Sequence, residues 1–136
     1  MLHLATTTVL TNLPVQCYDY APITDGTRHV TNTVLGQDTD GQFFSSEPRW
    51  VRFEGAAGTR LANYSVNSNH CGSATTGWVK ETVEPSLGRT ADQTVCLNWT
   101  QYRCIWPKKV PMTNCGSFVV YALSAPAIPE ARYCTI

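Results

Sequence analysis

The sequence predicts a mainly β fold: a small, disulfide-stapled single domain of short antiparallel strands with long loops. Three observations predict it. Six cysteines, at positions 17, 71, 96, 104, 115 and 134, form an even set with no C-x-x-C pair. That is the pattern of disulfides in an oxidising compartment rather than of a zinc cluster. β-Branched and aromatic residues collect in short runs between groups of Gly, Pro, Asn and Asp, as strands and turns require. No segment of about 11 or more residues keeps a helical period.

A length of 136 residues fits one domain that can bury a core. Apolar residues make up 43% and charged residues 15%, which argues against disorder. Ten basic and ten acidic residues cancel. That leaves no electrostatic footprint for nucleic acid and no polybasic membrane patch. No apolar run approaches about 18 residues, so no membrane span is expected in this chain.

In chain order, the stretch before Cys17 lacks a basic leader, carries Thr6, Thr7 and Thr8 in its apolar part, and shows no A-x-A site. It reads as an N-terminal extension over 1–16, poorly ordered or strand-like, rather than as a signal peptide. The domain proper then spans 17–136. A secreted or cell-surface protein needs an export signal, so the chain is expected to be a piece of something longer. Residues 17–46 are rich in turn formers, including Asp25-Gly26 and Asp40-Gly41. Trp50 to Phe53 alternates as a strand, with Val51 and Phe53 on one face and Trp50 and Arg52 on the other. Gly55 and Gly58 bracket a turn. Thr59 to Val66 resumes an extended pattern, which predicts a hairpin with the preceding strand. Gly72 to Gly77 is a small-residue loop leading to Trp78-Val79, and Glu84 to Gly88 is another loop. Thr94 to Trp99, Cys104 to Val110 and Phe118 to Leu123 are the remaining strands. Pro107 and Pro111 confine theirs to an edge or a bulge. Pro126 and Pro129 mark an irregular tail closed by Cys134.

Residues able to carry chemistry are few. Asn63-Tyr64-Ser65 and Asn98-Trp99-Thr100 fit the N-glycosylation pattern, and both that pattern and paired cysteines belong to the secretory pathway. Cys71-Gly72-Ser73 resembles the start of a papain-type signature, but Ala74 stands where a second Cys is needed and no His follows His70. There is no G-x-S-x-G elbow and no HExxH pair. Asp38-Thr39-Asp40-Gly41 has the flavour of a calcium loop, yet its twelfth position is Arg49, so it reads as an incidental acidic turn. No catalytic set, cofactor or metal site is expected. The tryptophans, Trp50, Trp78, Trp99 and Trp106, are expected to be core residues, because each buries a large apolar area. The alternative is a platform on which a sugar stacks, which would make the domain lectin-like through exposed Trp and Tyr.

The ordered set Trp50-Val51-Arg52-Phe53-Glu54-Gly55, Gly58, Cys71-Gly72, Gly77-Trp78-Val79, Cys96-Leu97-Asn98-Trp99, Cys104-Ile105-Trp106, Cys115-Gly116, Val119 to Leu123 and Tyr133-Cys134-Thr135 resembles a known family. It is similar to the cysteine-rich module of uromodulin and of the major glycoprotein of pancreatic zymogen-granule membranes, a module with eight-cysteine and ten-cysteine versions. Six cysteines alone allow 15 connectivities. The resemblance implies Cys17–Cys115, Cys71–Cys134 and Cys96–Cys104. On that pairing Cys96–Cys104 is a local clasp with Asn98 and Trp99 on its loop. Two further bridges of the fuller pattern fall near Phe43 and Pro129, and at Ser65 and Arg103, all non-cysteine here. The resemblance also implies an extracellular, non-enzymatic module of a larger secreted or surface glycoprotein. Adhesion, spacing or N-glycan display would be its role, and glycan-binding adhesins or other extracellular proteins its partners. Neither composition nor resemblance indicates which surface binds a ligand.

Overall fold

The computed structural model describes residues 12–136, so residues 1–11 of the N-terminal extension lie outside the described residues. Seven strands form one sheet in the order β1-β2-β6-β5-β4-β3-β7. They are β1 (Ala21–Ile23), β2 (Arg49–Phe53), β3 (Thr76–Glu81), β4 (Thr90–Trp99), β5 (Tyr102–Asn114), β6 (Val119–Leu123) and β7 (Arg132–Tyr133). The four inner pairings are antiparallel, whereas the edge strands β1 and β7 join β2 and β3 in parallel. A one-turn helix, α1 (Asp40–Phe43), is the α-helix among the described residues.

Period-2 alternation decides what each strand buries. Val51 and Phe53 of β2, Val110 and Met112 of β5, and Val119, Tyr121 and Leu123 of β6 point into the main core. Phe44, Leu61 and Tyr133 join them there. Val120 faces the other way, onto the Cys17–Cys115 bridge with Leu13, Tyr20, Trp50 and Phe118 packed around it. On that face the Arg52 guanidinium lies 3.9 Å from the Phe118 ring centroid, where the ring's negative face attracts it. A third cluster gathers Trp78, Val66 and Ala62 about Cys71, Cys96 and Cys134.

The structure joins Cys17 to Cys115, Cys71 to Cys134, and Cys96 to Cys104, and the described residues include no free thiol. These bridges close loops of 98, 63 and 8 residues. The first ties the N-terminal 3-10 turn Val15–Cys17 to the end of β5. The second ties the loop before β3 to the C-terminal tail.

The hairpin expected between Trp50 to Phe53 and Thr59 to Val66 does not form. Strand β2 is flanked instead by β1 and β6. The segment after Gly58 is drawn to the C-terminus: Thr59 N donates to Ile136 O at 2.9 Å and Ala62 N to Cys134 O at 2.8 Å. Gly58 explains the departure. Its φ is +78°, and a Cβ there would stand 2.3 Å from Ile136 O, so the chain turns tightly against its own tail. Turn chemistry was readable from Gly55 and Gly58, but the partner of the following segment lies more than 70 positions away in sequence.

The acidic turn Asp38-Thr39-Asp40-Gly41 is also more than incidental. Asp40 opens α1 and is fully buried. It accepts from Arg28 at 2.9 and 3.1 Å and from the backbone N–H of Tyr133 at 2.7 Å. One carboxylate thus neutralises a buried guanidinium and accepts from an edge-strand amide together.

Candidate functional site

The β4–β5 hairpin projects beyond its neighbours. Strand β3 pairs β4 only from Thr94 to Asn98, and β6 pairs β5 only from Met112 to Asn114. The first half of β5 therefore has no strand on its second side. Trp99 pairs with Tyr102 across the two-residue connection Thr100-Gln101. Thr100 takes φ +53°, the left-handed conformation that tight hairpin turns demand.

Two bulges shape the tip. Val95 pairs with Lys108 and Leu97 with Ile105, so Trp106 and Pro107 together oppose Cys96. Trp106 takes φ +47° there, a rare state for a bulky side chain. A bulge re-aims the side chain it carries, and Pro107 costs no hydrogen bond where the strand has no second partner. The second bulge, between Leu97 and Trp99, places Arg103 and Cys104 opposite Asn98. The Cys96–Cys104 bridge crosses the hairpin between these irregularities and holds both.

The outcome is a cluster of exposed aromatics. Trp99 is 44% exposed, Tyr102 54% and Trp106 53%. The two indoles lie 6.0 Å apart, inclined by 30°. With Ile105, Pro107 and the Cys104 side of the clasp they line an apolar hollow of about 340 Å³. Tyr102 also borders a smaller polar hollow of about 140 Å³, lined with Asn67, Ser68, Thr100, Gln101 and Arg103 among others. The core reading of the tryptophans thus holds for Trp78, which is buried, and in part for Trp50, which is half-buried. It fails for Trp99 and Trp106, because a strand that outruns its sheet has nothing to cover it. Sequence reasoning did not single out Tyr102. The signal was there: aromatics on both sides of a two-residue turn.

Behind the tip, Asn98 is buried, 5% exposed, which corrects the expectation that the clasp loop presents it. Its Nδ2 donates to Ser65 Oγ at 3.0 Å and to Val66 O, and its Oδ1 accepts from Trp78 Nε1 at 2.9 Å. The Trp78 N–H is shared with Arg103 O at 3.0 Å, and Arg103 Nη1 reaches Ser65 Oγ at 3.4 Å. Polar contacts therefore link Ser65 and Arg103, where the resemblance sets a further disulfide in fuller modules. A glycan on Asn98 Nδ2 would replace one of the two N–H groups that make its bonds to Ser65 and Val66. Asn63, by contrast, is exposed.

Another hollow, of about 350 Å³, lies beside α1 and is bordered by Asp25, Arg28, Asp40 and Arg132. Four of its charged side chains are engaged in pairs, while Asp38 also lines it. Arg28 pairs with Asp40, and Arg132 Nη2 donates to Asp25 at 3.0 Å. Partial burial raises the Asp25 pKa, but hydrogen bonds from Thr27 and the Arg132 charge outweigh it, so the net shift is downward. His29 Nδ1 contacts Thr31 Oγ1, and His70 Nδ1 contacts the carbonyl of Val30. Among the described residues no three His, Cys, Asp or Glu side chains converge as metal ligands, and no helix is long and apolar enough to cross a membrane.

Comparison with known proteins gives one family. The model of the uromodulin-like cysteine-rich domain matches residues 51–135. Uromodulin of Rattus norvegicus is 31% identical over 87 residues, covering 63% of this chain and 14% of that protein. Uromodulin of Mus musculus matches with the same identity and coverage. The chain thus spans a small part of the length of the curated relatives it matches.

Proposed function

The chain belongs to the family of uromodulin-like cysteine-rich domains, and on that premise we propose that it is a non-enzymatic extracellular module of a larger secreted or surface glycoprotein, contributing adhesion through the tip of its β4–β5 hairpin. One observation carries the reading: Trp99, Tyr102 and Trp106 stand exposed together on a disulfide-braced projection. Clustered exposed aromatics are unusual on a surface that does not bind.

The test is attachment of cells or extracellular proteins to beads coated with the full chain. The Trp99→Ala/Trp106→Ala variant should lose that attachment while unfolding at the parent temperature. Undiminished attachment overturns the assignment of the tip. A second reading, display of an N-glycan to glycan-binding adhesins, is favoured by the exposure of Asn63. Enzymatic deglycosylation should then abolish adhesin binding, and binding that survives it refutes display.

A further inference from the structure

We propose that the hairpin tip is a carbohydrate-binding site, with the Trp99 and Trp106 faces receiving the C–H face of a neutral pyranose ring and the adjoining polar hollow receiving its hydroxyls. This deepens the adhesion reading and rests on it. The chemistry of the two hollows selects the ligand. An aromatic face carries the negative side of a quadrupole and attracts weakly positive C–H groups. A sugar ring offers a patch of such C–H groups on one side and hydroxyls around its rim. The tip offers the same division in reverse. The apolar hollow is walled by two indoles and a proline. In the hollow on the other side of Tyr102, Asn67, Ser68, Gln101 and Arg103 supply amide, hydroxyl and guanidinium groups. Tyr102 borders both hollows, and in the proposed pose the ring lies on the indoles with its hydroxyls toward the polar hollow across Tyr102. At about 340 Å³ the apolar part lies at the small end of the range for small-molecule pockets, the scale of one or two sugar rings.

Charge complementarity narrows the class to neutral sugars. Among the described residues, Arg103 is the single charged side chain lining either hollow. The neighbouring lysines are turned away: Lys108 Nζ bonds Ser124 Oγ and Ala125 O, and Lys109 Nζ bonds Thr94 Oγ1 at 2.8 Å. An anionic lipid surface would meet no cationic ring here. Preorganisation points the same way. Trp106 and Thr100 hold positive φ angles that persist only where the surroundings over-determine them. Two bulges and the Cys96–Cys104 clasp do so here, and indoles fixed before binding lose little entropy on it.

The experiment uses the full chain carrying Asn63→Gln, so that the protein brings no glycan at its exposed sequon. It is applied to an array of immobilised neutral oligosaccharides of hexoses and N-acetylhexosamines. Glycans that bind are then titrated in solution by tryptophan fluorescence. We expect binding to at least one neutral glycan, weakened about tenfold by Trp106→Ala and by Trp99→Ala, each removing one stacking face. Gln101→Ala should change which glycans bind rather than abolish binding. Array silence overturns the inference. So does glycan binding that the two Trp variants leave intact. If the array is silent yet bead attachment still depends on Trp99 and Trp106, the carbohydrate inference fails and the adhesion reading stands. If neither signal depends on them, both fail. Self-association of the tip on analytical ultracentrifugation, lost in the same variants, would make a second copy the occupant and likewise overturn the inference.

Discussion

Removal of the Asp40 carboxylate is the sharpest test of how this fold is held. Asp40 and Arg28 are both essentially solvent-free, at 1% and 2% side-chain exposure. The carboxylate accepts two guanidinium N–H groups and the amide of Tyr133. Arg28 also donates to Tyr133 O at 3.0 Å. Asp40→Ala leaves an uncompensated guanidinium in the core, a loss of about 3–5 kcal/mol. The Tyr133 amide loses its partner too, which adds to that figure without summing fully because the groups share one network. For a domain of this size the loss corresponds to a fall in Tm of about 10–20 °C. Asp40→Asn keeps an acceptor for Tyr133 and should cost less. Replacing both partners, Arg28→Met with Asp40→Leu, should cost much less than the two single changes added together, since no charge then stays buried. The assay is thermal unfolding by circular dichroism of the oxidised chain. A fall of less than about 2 °C for Asp40→Ala would refute the reasoning, because a buried pair broken on one side cannot be that cheap.

Other outcomes follow from the same structure. Removing Cys17–Cys115 should cost about 4–5 kcal/mol and removing Cys96–Cys104 about 2.5, in the order of the loops they close, measured by denaturant titration of the paired Cys→Ser variants. Asn98→Asp should destabilise more than Asn98→Ala, since both lose the donated bonds but the carboxylate also buries a charge against the Val66 carbonyl; equal midpoints would contradict the network. Ser65→Cys with Arg103→Cys should form a bridge visible by mass spectrometry and raise stability, closing a 38-residue span worth up to about 4 kcal/mol. At high pH the buried tyrosines should dominate. Burial pushes Tyr121 up to about 12 and raises Tyr133 further. A raised value means the neutral form is favoured in the fold. For Tyr121 that contribution is full below the ordinary tyrosine value of about 10 and is lost as pH rises through about 12, and for Tyr133 the loss runs on to higher pH. Tyr121→Phe should flatten that alkaline limb of the stability curve.

Much of the fold was legible along the chain because its causes are local. Val51 and Phe53 alternate with Trp50 and Arg52, and the side chains obey. Pro107 announced an edge or a bulge, and β5 has both at that point. Gly55 and Gly58 announced a turn. The fate of Thr59 to Val66 was not legible, since its partner is the far C-terminus. Cysteine pairing was not legible from spacing either; it came with the resemblance, which carries information no single sequence contains. Asp40 looked like a turn residue because a buried ion pair has no local pattern: Arg28 stands 12 positions away and Tyr133 stands 93.

The β4–β5 hairpin shows where the division falls. By itself the sequence determined that an oxidised β domain carries tryptophans and a sequon beside its densest group of cysteines, since redox chemistry, strand period and turn residues act over a few positions. Only the tertiary structure decided that Asn98 turns inward while Trp99 and Trp106 turn out. Burial depends on which distant segments arrive beside a residue. Ser65 and Val66 come from more than 30 positions away to enclose Asn98, and no strand arrives to cover the two indoles.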